Sequence, residues 1–360
     1  MALLDVFDGS PFDLQTLTLA IDKLPYMPGR IGELGLFQQR PINTRTAFIE
    51  ERLGLLQLVP TTTRGSSLQN TIHQPRRKAR AFDVPHMPQW VEILAEDLEG
   101  KRAFGTEDQT EVFSQIVNDR LEQMKSNHEV TWEYHRIGAL TGIILDADGT
   151  SVVDNFFTDF GITQTSVNVD FADAGTYALP NPTVDMKMLA QGLIRQMQVA
   201  LGNTPFTGIR VFAGNQWWDN FIHHGTVRKA YEYYQQNSFL RTTQIPGGSG
   251  EGGFDFADVV WENYRGFVGT NRFIPTNQAL AFPTGCKDLF LEIVAPGDFV
   301  ETVNTRGQML YAKQERLPWD KGIQLHTQSN VLYMCTRPAC LIKLTATNLN
   351  AGLEFSGLYS

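Results

Sequence analysis

The most sustained periodic pattern in the chain lies between residues 107 and 141. Phe113, Ile116, Val117, Leu121, Met124 and His128 recur at steps of three and four, and Trp132 and His135 extend the same stripe. Thr106 and Gln109 have the spacing of a capping box, with Glu107 and Asp108 in the first turn, where the helix dipole favours negative charge. The pattern predicts a helix over about 107–141 that stops near Gly138 to Gly142. At 1.5 Å per residue it would be roughly 50 Å long, far beyond the usual helix, and suited to lie as a spine beneath a sheet. A second amphipathic stretch, residues 183–201, puts Met186, Leu189, Leu193, Met197 and Leu201 on one face and ends at Gly202-Asn203.

Elsewhere the period shortens to two. From "TRTAFIEERLGLLQLVPTTTRGSS" polar residues alternate with aliphatic and β-branched ones, and the alternation recovers in "AFDVPH" after a basic run. Two strands joined by a long, basic, exposed hairpin account for this. In "IILDADGTSVVD" the Asp-Gly step between two apolar runs predicts a tight hairpin turn. Asp146, Asp148 and Gly149 also match the start of a calcium loop, but the twelfth position, which must carry a carboxylate, is Phe157. The turn reading stands. "IRVFAG" reads as a buried strand and "NQWWDNFIHHGTVRKAYEYYQQ" as one or two helices, so strand and helix alternate in a compact α/β block. From "DVVWENYRGF" to "CLIKLTATN" the chain is mostly short strands, among them "QALAFPTG", "LFLEIVAP" and "QMLYAK". Residues 1–50, with "DKLPYMPGRIGELGLF", are too interrupted by proline and glycine for a long element and read as an extended arm.

Composition narrows the function classes. The 360 residues are 42% hydrophobic and 19% charged, as expected of a globular chain with a sizeable core. No apolar run approaches the length needed to span a bilayer, and "MALLDVFDGS" carries acids where a signal peptide has basic residues, so the protein is expected to stay where it is made. Three cysteines, Cys286, Cys335 and Cys340, point to buried thiols in a reducing compartment, with the cytoplasm as the default. The spacing in "CTRPAC" is neither a redox pair nor half of a zinc site.

Candidate chemistry is sparse. Gly248, Gly250 and Gly253 satisfy G-x-G-x-x-G, but a proline precedes them and strand-like "FDFADVVWENYRGF" follows, so no helix N-terminus is available for a pyrophosphate; a mobile surface loop fits better. His223 and His224 are adjacent and would point about 100° apart on a helix, which suits capping or the surface rather than a shared metal. No nucleophile elbow, P-loop or H-E-x-x-H motif occurs, so the sequence predicts no enzyme, no cofactor and no metal site. The basic run Arg76, Arg77, Lys78 and Arg80 could mark a nucleic-acid module, but it lacks interleaved aromatics and sits in a chain of net charge −9 and pI about 5.3.

Three blocks then carry a resemblance: "RFIPTNQALAFPTG", "VAPGDFVETVNTRGQMLYAKQ" and "HTQSNVLYMCTRPACLIKL". In order and character they are similar to the C-terminal part of the major capsid protein E family of tailed bacteriophages. "RAFDVPHMP", the long helix and "IILDADGT" fit the first half, so the resemblance runs to about Asn348. It implies an α+β Hong Kong 97-type capsid fold. An N-terminal arm would occupy residues 1–50, an E-loop hairpin 51–92, and a P-domain 93–182 with its spine helix at about 106–142. An A-domain would follow at 183–318, including the glycine-rich loop 246–253, then P-domain return strands 319–348 and a tail 349–360.

The function so implied is a head protein that assembles as hexamers and pentamers into an icosahedral shell around double-stranded DNA, made in the host cytoplasm and carried in the virion. An encapsulin-like cellular shell protein is the alternative, ahead of the nucleic-acid module. Scaffolding, portal and decoration proteins are the further partners the resemblance implies, with enclosed DNA bound without sequence specificity and no membrane involved. An extended hairpin has little core of its own, so residues 51–92 should lie across an adjacent subunit. Arg76, Arg77, Lys78 and Arg80, placed near the tip, would meet acids such as Glu92, Glu96, Asp97 and Glu99 of "EILAEDLEG".

Overall fold

The computed structural model describes residues 29–52, 77–94, 109–171, 185–202, 204–228, 253–268 and 271–349. In chain order the elements are α1 (Arg30–Glu33), β1 (Gln38–Pro41), β2 (Thr46–Arg52), β3 (Arg77–Asp83), β4 (Met87–Leu94) and α2 (Gln109–Thr141). There follow β5 (Ile143–Leu145), β6 (Val152–Asn155), α3 (Phe156–Phe160), β7 (Thr165–Asp170), α4 (Met186–Leu201), β8 (Gly208–Ala213) and α5 (Asn215–His223). The remaining strands are β9 (Phe254–Phe256), β10 (Val259–Asn263), β11 (Phe267–Val268), β12 (Asn271–Arg272), β13 (Gln278–Thr284), β14 (Phe290–Val294), β15 (Tyr311–Arg316), β16 (Gly322–Ser329), β17 (Val331–Cys335) and β18 (Ile342–Thr347), with short 3-10 turns at Val300–Thr302, Pro318–Asp320 and Pro338–Cys340.

The chain divides into two compact units, each assembled from separated stretches: 1–24, 39–124 and 293–332 in one, 25–38, 125–292 and 333–360 in the other. The second holds a six-stranded sheet of order β7-β18-β13-β8-β10-β9. β8 pairs parallel with β10 and antiparallel with β13, and β18 pairs parallel with β7. Alternate residues of the central strands enter two separate cores. Ile209, Val211 and Ala213 of β8 and Ala279 and Ala281 of β13 join Met186, Leu193, Met197, Trp217 and Phe221 from α4 and α5. Phe212, Leu280 and Phe282, on the opposite face, pack with Ile31, Ile137, Leu140, Phe157 and Phe290. A sheet buried on both faces needs apolar residues in both registers, and this is why "IRVFAG" and "QALAFPTG" are near-continuous apolar runs.

In the first core the Trp217 and Trp261 rings stack at 5.5 Å with an interplanar angle of 9°, and Phe221 lies 4.4 Å from Trp261. α4 starts where the Asp185 side chain accepts from the Lys187 N–H at 2.9 Å and ends at Gly202, whose φ is 59°. The expected Asp-Gly turn is present: β5 and β6 pair antiparallel, Gly149 has φ 70°, and Asp148 accepts from the Thr150 and Ser151 amides at 2.9 and 2.8 Å. Asp148 is held below the usual carboxylate range by its bonds to Ser151 and Thr150. These bonds tie the carboxylate to its own turn.

The other unit holds the antiparallel pair β2–β3 and the three-stranded sheet β15-β16-β4. Of the strands expected after residue 319, Gly322–Ser329 pairs with Met87–Leu94, while Ile342–Thr347 joins the six-stranded sheet. "FDFADVVWEN" forms the hairpin β9–β10, with Ala257 and Asp258 at positive φ. The glycine-rich loop falls outside the described residues up to Gly253, as do residues 1–28 of the expected arm. Of the described arm residues, Ile31 is fully buried among core side chains, while β1 is an extended strand exposed along its whole length.

Candidate assembly interface

The basic run sits at the start of a strand. β3 begins at Arg77, so Arg77, Lys78 and Arg80 are paired positions opposite Arg52, Glu51 and Ile49 of β2, and Arg76 lies just outside the described residues. Residues 53–76, between the two strands, lie outside the described residues, and Arg77, Lys78 and Arg80 belong to the returning strand. Phe48 on β2 is 71% exposed.

Among the expected acceptors, Glu92 is exposed on β4, opposite Gln324 of β16; Glu96, Asp97 and Glu99 lie outside the described residues. The structure thus places the basic run and Glu92 in different sheets, β2–β3 and β15-β16-β4. The face of the latter that carries Glu92 also carries Trp90, which is 60% exposed and lies opposite His326, itself opposite Lys313.

A loop from residue 295 to 310 folds onto this face. The Phe299 ring meets the His326 ring edge-on at 5.7 Å, and the Lys313 ammonium lies 5.2 Å from the Phe299 centroid and 2.7 Å from Glu301. Thr302 Oγ1 donates to the Gly297 and Phe299 carbonyls at 2.7 and 2.8 Å, while Asn330 Nδ2 donates to the Pro296 carbonyl at 2.8 Å. His86 Nδ1 stands 2.7 Å from Asn330 Oδ1, and its Nε2 is 3.8 Å from Asp298. Burial lowers the His326 pKa, with His86 adding to the effect and Asp298 opposing it. The loop leaves Val300 and Val303 facing solvent.

A second constellation, in the six-stranded unit, was not legible as a site. Glu133 of α2 is 5% exposed, and its two oxygens accept from the Ile31 N–H at 2.8 Å, the Gly32 N–H at 3.3 Å and the Tyr264 hydroxyl at 3.2 Å. Arg136 lies 3.6 Å from Glu133 and 3.4 Å from Glu292, with its guanidinium 5.0 Å from the centre of the Tyr333 ring. Glu262, 1% exposed, receives both Arg30 and Arg210. Its hydrogen bond raises the Arg30 pKa further, while burial raises that of Glu292 against the pull of Arg136. Buried charges need paired partners to be tolerated, and here every glutamate faces an arginine. Arg30, Glu133, Glu262 and Tyr264 line an open cleft of about 360 Å³ whose lip is formed by Val130, Phe267 and Val268.

The arrangement offers little catalytic chemistry. The carboxylates are neutralised by arginines and backbone donors, and among the described residues no group of three or more His, Cys, Asp and Glu is placed to hold a metal ion. No described helix is long and apolar enough to cross a membrane. His223 caps within α5, with Nδ1 2.7 Å from the Asp219 carbonyl. His224 departs from the surface expectation: it is 2% exposed, sits beside Thr226 Oγ1 at 2.9 Å and meets Phe171 edge-on. All three cysteines are free thiols, with Cys335 and Cys340 buried as expected and Cys286 only partly so. Burial and its neighbour Cys335 push the Cys340 thiol up, away from reactivity.

Known proteins give this geometry its context. The chain is 26% identical over 355 residues to the major capsid protein of Pseudomonas phage KPP10, covering 92% of this chain and 96% of that one. It is 24% identical over 369 residues to the major capsid protein of Salmonella phage Felix O1, covering 94% and 97%. A crystal structure described as the capsid protein of a prophage (E.coli CFT073) superposes with a TM-score of 0.54 at 14% identity, over 93% of this chain and 99% of that one. That likeness shows the fold, a mixed α+β capsid fold of the Hong Kong 97 type. Residues 13–346 match the family described as phage major capsid protein E, and the chain belongs to that family.

Proposed function

We propose that this chain builds its shell through rings of six and five identical subunits that close around packaged double-stranded DNA. Family membership makes it a major capsid protein of a tailed phage, a structural and non-enzymatic component of the icosahedral head. The observation that carries the reading is the family match over residues 13–346. In this reading the β2–β3 ribbon is the E-loop, α2 the spine, the β15-β16-β4 sheet the P-domain, and the six-stranded sheet the A-domain. Scaffolding, portal and decoration proteins are the partners such a head would use.

The hairpin lies across a neighbouring copy, and its basic strand, Arg76, Arg77, Lys78 and Arg80, faces the acids Glu92, Glu96, Asp97 and Glu99 of that copy. Exposed Trp90 beside Glu92 gives that surface an apolar centre. A net charge of −9 suits a wall that encloses DNA without holding its phosphates. Electron microscopy of the purified chain tests the assembly: uniform shells or rings are expected, and a monodisperse monomer that retards DNA on a gel refutes it. For the hairpin contact, charge reversal of either run alone should abolish assembly. If reversing both together fails to restore it, the pairing is wrong.

A further inference from the structure

The β15–β16 hairpin ends in the turn Leu317–Gly322, and its apex residue, Trp319, is the most exposed large apolar side chain among the described residues at 91%. Trp319 also has φ 68° and ψ 21°, the left-handed conformation that glycine and asparagine occupy readily and an indole-bearing residue does not. Two unfavourable features at one position, a solvent-facing indole and a left-handed backbone, have no return within the subunit.

The turn is nevertheless rigid. Pro318 restricts the backbone ahead of Trp319, and the Leu317 N–H donates to the Gly322 carbonyl at 3.0 Å. Gly322 is pressed against β4, where a Cβ would lie 2.2 Å from the Ile93 carbonyl oxygen. The indole is therefore presented from a fixed base, which lowers the ordering cost of docking. A tryptophan of this kind buries roughly 150–250 Å² when covered and belongs to the residue types that dominate interface energetics.

We propose that Trp319 is a preformed anchor through which one copy of this chain docks on a second copy. The inference rests on the capsid-subunit reading, because a shell of identical subunits supplies the same partner surface to every copy. Its test is hydroxyl-radical footprinting of free subunits and of shells assembled from the purified chain alone, read by mass spectrometry at Trp319, with fully buried Trp217 as the internal reference. Oxidation of Trp319 should fall at least about tenfold on assembly, comparable to removal of most of its exposed area. Trp319→Gly, which suits a left-handed position, should leave the free subunit's melting temperature unchanged or raised, yet raise the concentration needed for assembly about tenfold or more. Trp319 oxidised equally in free and assembled protein, or Trp319→Gly shells forming at the wild-type concentration, would overturn the proposal. Protection that appears only when a second gene product is added overturns it in favour of a heterologous partner. Failure of the wild-type chain to form any particle defeats the reading that identical copies by themselves build the rings, and this inference with it.

Discussion

Replacing Glu133 by glutamine changes one heavy atom and removes one charge. Glu133 Oε1 accepts from the Ile31 amide and the Tyr264 hydroxyl, whereas Oε2 faces the Gly32 amide and the Arg136 guanidinium. A glutamine can keep its oxygen on the Oε1 side, but its NH₂ then confronts an N–H donor and a cation. The loss is one charge-assisted hydrogen bond, worth about 1.5–3 kcal/mol, and one arm of a buried ion pair, whose disruption costs about 3–5 kcal/mol when no partner remains. Arg136 retains Glu292 at 3.4 Å, so the two contributions overlap and a net loss of about 3 kcal/mol is expected. For a unit of this size that corresponds to a fall in melting temperature of roughly 10 °C. Calorimetry of unassembled subunits reads the magnitude, and hydrogen exchange at the Ile31 and Gly32 amides reads the place. A double-mutant cycle with Arg136→Met should show coupling, since both changes meet at Oε2. A Glu133→Gln subunit that melts within 2 °C or so of wild type, with both amides still protected, would refute the assignment of this network as a structural lock.

Other expectations follow from the same coordinates. His135 is buried and its pKa is pushed down to about 4, chiefly by desolvation, against an unfolded value near 6.5. Protons therefore bind the unfolded chain preferentially between those values; stability present above pH 6.5 should decline by up to about 3 kcal/mol as pH falls through 4, and His135→Leu should flatten that slope in a pH series of urea melts. Trp217→Ala, which empties a fully buried site against Trp261, Phe221 and Phe171, should cost about 3–5 kcal/mol and remove the near-ultraviolet signal of the stacked indoles. In hydrogen exchange, β2–β3 amides should exchange far faster than those of β8 and β13 in free subunits, and should slow on assembly; equal protection in both states would contradict the ribbon's dependence on a neighbour.

Much of the fold was legible because its signals are local. Of the eight residues in the α2 stripe, Val117, Leu121, Met124, His128, Trp132 and His135 are buried, Ile116 is half-buried, and the side chain of Phe113 lies outside the described residues. The Asp-Gly turn and the strand character after the glycine cluster were equally readable from adjacent residues. The charge network was not, because α2 also buries Glu129, Glu133 and Arg136, which helical periodicity assigns to the solvent side. Their partners, Ile31, Tyr264 and Glu292, are separated from them by about a hundred residues or more, and no window along the chain brings them together. One cue existed: polar residues on every face of a long helix call for partners elsewhere in the chain. The pairing of Arg77, Lys78 and Arg80 with β2 was equally hidden, because the composition of the basic run resembles a loop.

The two units owe their order to different sources. In the six-stranded unit, the central strands bury both faces, so its stability is generated within the subunit. The β2–β3 ribbon has two strands and exposes Phe48, and the β15-β16-β4 sheet leaves Trp90 uncovered. An isolated two-stranded ribbon is marginal in water, and exposed aromatics gain most from being covered. In the proposed assembly that surface meets other copies, so that shell formation would stabilise the parts that folding alone leaves weak, the subunit forming first and the shell second.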